Sequence, residues 1–362
     1  MCADSSPDTS DDTPTTFTPR LDRSSVEHVG LAFVAVLALV MLTFLLLYAL
    51  RAFPVADGLY SNFMIGGQWL DWFFGTNVFR HPFMWHSLAT GVLIGIAAPL
   101  IGSFLVHREM ALIGETLAHT AFAGVAVGVL FAGVSGWRTG SVLLLAALVV
   151  AVIGALGVQW LARHTTSYGD VPIAIMLSGS FAIGTLLISY GRGRMAIAID
   201  IEAYLFGNIA IVTAGGAQLM AAIACLTVGV VAYAYRPLLF ITFDERAAQV
   251  ARINVTWYNT VLIVTTAVVV VGALQILGVI LVAAMLVVPV AAASQVARSF
   301  RETIVLGVLF GEAAVLAGFA VSIGLSLPSG GSIVVVAIGI YLLAIGAARA
   351  KGRTVASMRV SQ

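Results

Sequence analysis

The chain is 362 residues long, 60% hydrophobic and only 10% charged, with 18 Lys and Arg against 17 Asp and Glu. Soluble domains carry roughly a quarter charged residues, so this composition excludes a water-soluble globule and indicates an all-α polytopic membrane protein. A net charge of +1 offers no basic face for nucleic acid.

In chain order, residues 1–28 come first. They hold Asp4, Asp8, Asp11 and Asp12 among Ser, Thr and Pro. Such a segment cannot bury enough apolar surface to fold and is expected to be a disordered, acidic, cytoplasmic tail. Its acidic start is not the basic n-region of a cleavable signal. Apolar runs able to cross a ~30 Å hydrocarbon core, which takes ~20 helical residues, follow at 29–50, 83–106, 112–134, 141–161, 173–190, 217–235, 258–274, 276–293, 303–325 and 332–347. They make a transmembrane domain over 29–348 with about ten helices, followed by a cytoplasmic tail at 349–362. Ten crossings return both termini to one side. Of the 18 basic residues, about three quarters fall in segments on that side, which places both ends in the cytoplasm and the protein in the plasma membrane.

The third span carries Gly114-Glu115-Thr116-Leu117-Ala118-His119 near its start. On a helix Glu115 and His119 are separated by ~6 Å along the axis and by only ~40° around it. Ionisable side chains in a span cost about 2.5 to 3.5 kcal/mol on insertion scales and normally face a partner or a watery path. Carboxylate with neutral imidazole suits zinc, manganese or ferrous iron; an ordinary intramembrane hydrogen bond explains the spacing equally. Glu312 lies nine residues into its span, thus ~14 Å deep, and is a third candidate ligand, a proton acceptor or a carboxylic acid held between helices. Met110 and Met285 could add thioether contacts but read more simply as packing, and His81 and His86 read as interfacial histidines near the mouth of the second span. Cys2 and Cys225 lie in a tail and a span, so neither a disulfide nor a thiolate site is supported.

Between the sixth and seventh spans, residues 243–254 read as a short amphipathic helix capped by Asp244. Phe243, Ala247, Val250 and Ala251 would form its apolar face. It is a solvated connector or a docking helix for a cytoplasmic partner. Lys351 is the only lysine, so the chain has no G-x-x-x-x-G-K-[ST] phosphate loop. It is therefore not read as an enzyme, and no permanently bound cofactor is expected.

Several segments, in order, resemble the permease subunits of zinc/manganese-type ABC transporters, the ABC-3 family. They are Pro82-Phe83-Met84; residues 108–128 with their G-[DE]-x-x-x-H-x-x-x-x-G core; Leu205-Phe206-Gly207-Asn208; Phe243-Asp244; Ala273-Leu274-Gln275; Pro289-Val290-Ala291-Ala292; Leu327-Pro328-Ser329-Gly330; and Ser332-Ile333-Val334. The resemblance spans roughly residues 82–348. It implies a fold similar to the cobalamin and iron-chelate ABC permeases, a homodimer or occasional heterodimer, a separate ABC ATPase subunit, and an extracytoplasmic metal-binding protein that delivers zinc or manganese as cargo. It also implies that Glu115 and His119, with Glu312 as a further candidate, line the metal path. Phe243, Asp244, Glu245, Arg246, Val250 and Arg252 would engage the ATPase. Two departures stand out: glutamate replaces the usual aspartate at 115, and Arg252 stands where a glycine is common. The resulting expectation is an alternating-access metal importer whose metal affinity falls on acidification, because the imidazole must be neutral and the carboxylate ionised. A secondary transporter using Glu115, His119 and Glu312 as a proton relay, or an ABC permease for a metal chelate such as cobalamin or an iron siderophore, are the competing readings.

Overall fold

A computed structural model describes residues 23–135, 139–164, 171–192 and 212–360. Residues 1–22 of the expected tail and the segment Leu205-Phe206-Gly207-Asn208 lie outside the described residues. The helices are α1 (Arg23–Ala49), α2 (Pro54–Phe74), α3 (Pro82–His107), α4 (Ile113–Ser135), α5 (Thr139–His164), α6 (Val171–Arg192), α7 (Ala214–Phe243), α8 (Glu245–Val250), α9 (Val255–Leu277), α10 (Val279–Val296), α11 (Phe300–Leu325) and α12 (Ser329–Val360). Ten of them are long and apolar enough to cross a membrane, and each coincides with one of the ten expected spans. Among the described residues there is no strand, as lipid requires of a chain that satisfies its backbone groups within helices.

Three departures from the sequence expectation stand out, besides longer helices at α7 and at α12, which runs to Val360 through most of the expected tail at 349–362. Helix α1 already starts at Arg23, so the last residues of the expected tail form its first turns. The break between the seventh and eighth spans falls at Gly278 rather than near Gln275, because Gly278 adopts φ 79°. A residue without a Cβ takes that conformation cheaply and ends α9 there. The third difference is α2, a 21-residue helix that the sequence reading missed. It is not among the candidate spans. Its N-terminus is set by Pro54 in the first turn, and its C-terminus by Gly75 at φ 64°.

Helix α3 is the centre of the bundle. It is apolar on all sides and buried over most of its length, as befits a helix enclosed by neighbours. It packs against α1, α7, α10 and α11. Small residues permit this closeness: a Cβ on Gly102 would overlap the Leu286 carbonyl oxygen of α10, and one on Gly311 of α11 would lie 2.6 Å from the carbonyl oxygen of Gly95. A second group consists of α4 held between α5 and α6, with α9 and α10 joining it to the first. Gly124 of α4 abuts Ala147 of α5, and Gly184 of α6 abuts Ala123 of α4.

Candidate metal path and coupling segment

The enclosure of α4 makes its few accessible positions informative. Residues 113–126 are buried except Glu115 and His119, which share one face with exposed Leu112. The side chains of Glu115 and His119 are 44% and 17% exposed, and the His119 Nε2 lies 3.9 Å from the Glu115 Oε1. The His119 ring meets Phe181 of α6 edge-on at 5.0 Å, which limits its rotation. A metal bound to both atoms at the usual ~2.0–2.2 Å in a tetrahedral shell would bring them to ~3.4 Å. The pair stands about half an ångström wider than that, a gap one small side-chain rotation closes. The accessible face of α4 thus presents one oxygen and one nitrogen donor, correctly oriented to share an ion and open to whatever lies alongside.

Glu312 is placed elsewhere. It is on α11, twelve residues and therefore ~18 Å from that helix's start, 2% exposed and pressed against Gly95 of α3, where a Cβ would fall 2.7 Å from its Oε1. Neither carboxyl oxygen has a hydrogen-bond partner. Among the described residues no three His, Cys, Asp or Glu side chains come together, so the structure pairs Glu115 with His119 and leaves Glu312 between α3 and α11. The remaining candidates are dispersed as well. Met285 is fully buried, and His86 is buried in an aromatic cluster with Phe44 and Tyr48. His81 stacks on Phe83. Met110 lines a cavity described below.

The coupling segment folds as expected in outline and differs in its face. Asp244 caps α8 by accepting from the Ala247 N–H at 2.8 Å, and Asn254 caps α9 by accepting from the Trp257 N–H at 3.1 Å. The buried residue of α8 is Ala248, packed with Ile241 and Val255. The expected apolar face instead points outward: Phe243 is 64% and Val250 86% exposed. Six residues make less than two turns, and one alanine suffices to seat so short a helix, leaving Val250 open, while Phe243 at the end of α7 meets Phe300 edge-on at 5.5 Å and His107 at 6.4 Å. Arg252 takes φ 59°, the left-handed conformation that glycine adopts without strain.

Two buried polar anchors lacked a clear sequence signal. The first is Arg108, in the turn between α3 and α4. Its Nε donates to Thr242 Oγ1 at 3.0 Å and its Nη1 to Asn259 Oδ1 at 2.6 Å. Burial pushes this guanidinium below its ordinary range, and the Glu245 charge opposes that shift. One side chain therefore ties the end of α7 and the start of α9, the two flanks of α8, to the turn that leads into Glu115. Beside it a cavity of about 470 Å³ is lined by Met110, Gln159, Thr242, Glu245 and Asn259 among others. Only a basic residue just past an apolar span hinted at it. The second is Asp71, 1% exposed, which accepts from Thr76 Oγ1 at 2.9 Å and from the N–H groups of Val78, Phe79 and Arg80 at 2.8, 2.9 and 2.8 Å. Burial pushes its carboxyl up, but the hydrogen bonds from Phe79, Val78, Thr76 and Arg80 outweigh that and hold it at about 2.

Against known proteins, the chain is 31% identical over 275 residues to a probable metal transport system membrane protein of Treponema pallidum, covering 75% of this chain and 99% of that one. It is 30% identical over 272 residues to the manganese transport system membrane protein MntC of Halalkalibacterium halodurans, covering 75% and 89%. Among solved structures it is similar to PsaBC from Streptococcus pneumoniae in complex with Fab, at 27% identity and a TM-score of 0.63 over 73% of this chain and 91% of that one. An inward-facing putative metal-chelate type ABC transporter, at 15% identity and a TM-score of 0.57, shares the fold. The description of the ABC 3 transport family matches residues 80–348, the stretch that holds the Glu115/His119 face, the Arg108 tie and the exposed coupling helix, and the chain belongs to that family.

Proposed function

We propose that this chain is the permease subunit of an ATP-driven importer of divalent transition metal ions, with Glu115 and His119 as the cargo ligands. The observation that carries this reading is the opening in the first half of α4: over residues 113–126, which are otherwise enclosed by neighbouring helices, the two ionisable residues are the ones left open. Two relatives over most of the chain are named as metal and manganese transport membrane proteins, which makes manganese the first cargo to test and zinc the second; both accept this donor pair.

Two ligands do not complete a metal's shell, so a second copy contributes the same pair across a two-fold axis, an isologous contact that would assemble two carboxylates and two imidazoles. A site so built is open on the path and releases its ion when the copies rearrange. The exposed Phe243, Glu245, Arg246 and Val250, with Asp244 and Arg252 shaping the turns, receive a separate ABC ATPase, because the chain has no phosphate loop of its own. Arg108 carries movement of α8 into α4. An extracytoplasmic metal-binding protein supplies the ion at the opposite face, and both termini lie in the cytoplasm. Glu312 reaches the path only if α3 and α11 separate, so it is assigned no place in the cargo site of this conformation.

The test is uptake of radioactive manganese and of zinc by proteoliposomes holding the permease with its ATPase. Glu115→Ala and His119→Ala abolish ATP-dependent uptake while the complex still assembles. Uptake unchanged in both variants overturns the site, and uptake without any ATPase overturns the class in favour of a secondary transporter.

A further inference from the structure

Helix α2 is the least expected element of the fold and lies outside the matched residues 80–348. Its contacts show how it sits. Tyr60 meets Tyr48 and Phe44 at 5.8 and 6.0 Å, Phe63 meets Phe44 and Trp85 at 5.2 and 4.8 Å, and Gly67 lies against Phe79 and Trp85. Phe44 and Tyr48 belong to the last turns of α1, and Trp85 to the first turn of α3. The helix therefore lies across the ends of these two spans instead of passing between them. The Asp71 carboxylate, bonded to the turn at residues 76–80, locks its C-terminal end in that position.

At 100° per residue its side chains divide into three stripes. Tyr60, Phe63, Met64, Gly67 and Asp71 form the packed stripe. Asp57, Ser61 and Gln68, all exposed, form a narrow polar stripe. The remaining arc, ~160° wide, carries Leu59, Ile65, Trp69, Leu70, Trp72 and Phe73, exposed by 52, 49, 66, 38, 78 and 74%, and Asn62 is its one strongly polar member.

We infer that α2 is an interfacial helix whose apolar arc is embedded in the headgroup–acyl boundary of the lipid bilayer, on the membrane face where α1 ends and α3 begins. Three observations select lipid as the occupant. The arc continues the surface that a spanning helix turns to lipid, since α1 exposes Leu39 and Leu46, and the chain leads from them through exposed Leu50, Phe53 and Val55 into Leu59. The polar stripe runs along the arc's edge, so a helix lying flat wets one flank while the other sinks, which is the geometry of a monotopic amphipathic helix. Two tryptophans, stacked edge to face at 6.1 Å, head the arc, and tryptophan concentrates at that depth of a bilayer. The aromatic cluster of Phe44, Tyr60, Phe63 and Trp85 then ties this float to the bundle and fixes how deep α1 and α3 sit.

The experiment uses the full chain in lipid nanodiscs and compares the wild type with the double variant Trp69→Phe, Trp72→Phe. Tryptophan emission is quenched by lipids brominated close to the headgroup, by lipids brominated near the chain terminus, and by aqueous acrylamide. The expected result is a component, lost in the double variant, that shallow bromines quench more than deep ones and that acrylamide reaches poorly. A component open to acrylamide and insensitive to both lipids means the arc faces water. One insensitive to all three quenchers means a second copy or another protein covers it. Either result overturns the proposal. The exchanges keep an aromatic ring at both positions, and an unchanged emission from the four tryptophans that remain confirms that the fold is intact.

Discussion

Arg252 shows how much a single backbone angle reveals. Its φ of 59° costs a residue with a Cβ roughly 1–2 kcal/mol, yet the turn requires it, because the N–H of Ile253 reaches back to the carbonyl of Ala248 and the N–H of Arg252 to that of Gln249. Arg252→Gly is expected to raise stability by up to about 1 kcal/mol, the strain relieved being partly offset by the greater freedom of the unfolded glycine chain. Arg252→Val, β-branched and worse suited to positive φ, lowers it. Thermal unfolding of the detergent-solubilised protein followed by tryptophan fluorescence measures both. Asp71 works in the opposite sense, as an acceptor satisfying four donors. Asp71→Ala leaves those donors unpaired and is expected to cost on the order of 2–4 kcal/mol. The folded carboxyl sits at about 2 against an ordinary 3.8, so its stabilisation is fully present above pH ~4 and is lost as pH falls toward 2. Protection of the amides of residues 78–80 against hydrogen exchange, taken relative to the intrinsic rate at each pH, should fall across that window in the wild type and be already low, and independent of it, in Asp71→Ala.

At the scale of the element, the coupling helix is informative because it is weakly held. One buried alanine seats it, its ends are fixed by Asp244 and Asn254, and the Arg108 guanidinium spans both flanks. Arg108→Met keeps the length of the apolar stem and removes both hydrogen bonds. With the ATPase still bound, this variant is expected to lose metal uptake together with the stimulation of ATP hydrolysis by the loaded binding protein, while basal hydrolysis persists. Measuring hydrolysis and uptake in one preparation distinguishes this from simple unfolding, which would release the ATPase. The same reasoning separates the two halves of the proposed metal site: Glu115→Asp places the aspartate that the resemblance to the family implies on a shorter arm, and relative uptake of manganese and zinc by that variant reads out how arm length sets preference.

For the whole molecule the governing fact is that α3 is enclosed chiefly by α1, α7, α10 and α11, the last three distant in sequence, with α9 touching it as well. Lipid supplies no hydrophobic drive for helices to associate, so close backbone contact has to do so. Gly102 is the tightest such point, since a Cβ there would overlap the Leu286 carbonyl of α10. Gly102→Ala is expected to destabilise the bundle by about 1–3 kcal/mol, seen as a lower midpoint of thermal aggregation. The equivalent change at Gly66, in the interior of α2 where a Cβ meets nothing within 4 Å, should not lower that midpoint, because alanine without a clash favours the helix.

Composition and periodicity by themselves determined the membrane class, the ten spans, the Asp244 cap and the Glu115/His119 pair. Each is local: a span needs only length and apolarity, and two residues four apart share a helix face whatever surrounds them. The tertiary structure decided what depends on neighbours. It turned the larger apolar groups of the coupling helix outward, because packing assigned the burial to Ala248. It set Glu312 against Gly95 and away from the pair, because depth in the membrane says nothing about which helix lies alongside. It laid α2 across the ends of α1 and α3, since a helix of mixed polarity meets both lipid and protein and its pattern names neither. It also left open, among residues 113–126 of α4, Glu115 and His119 alone, which only the enclosing helices could do.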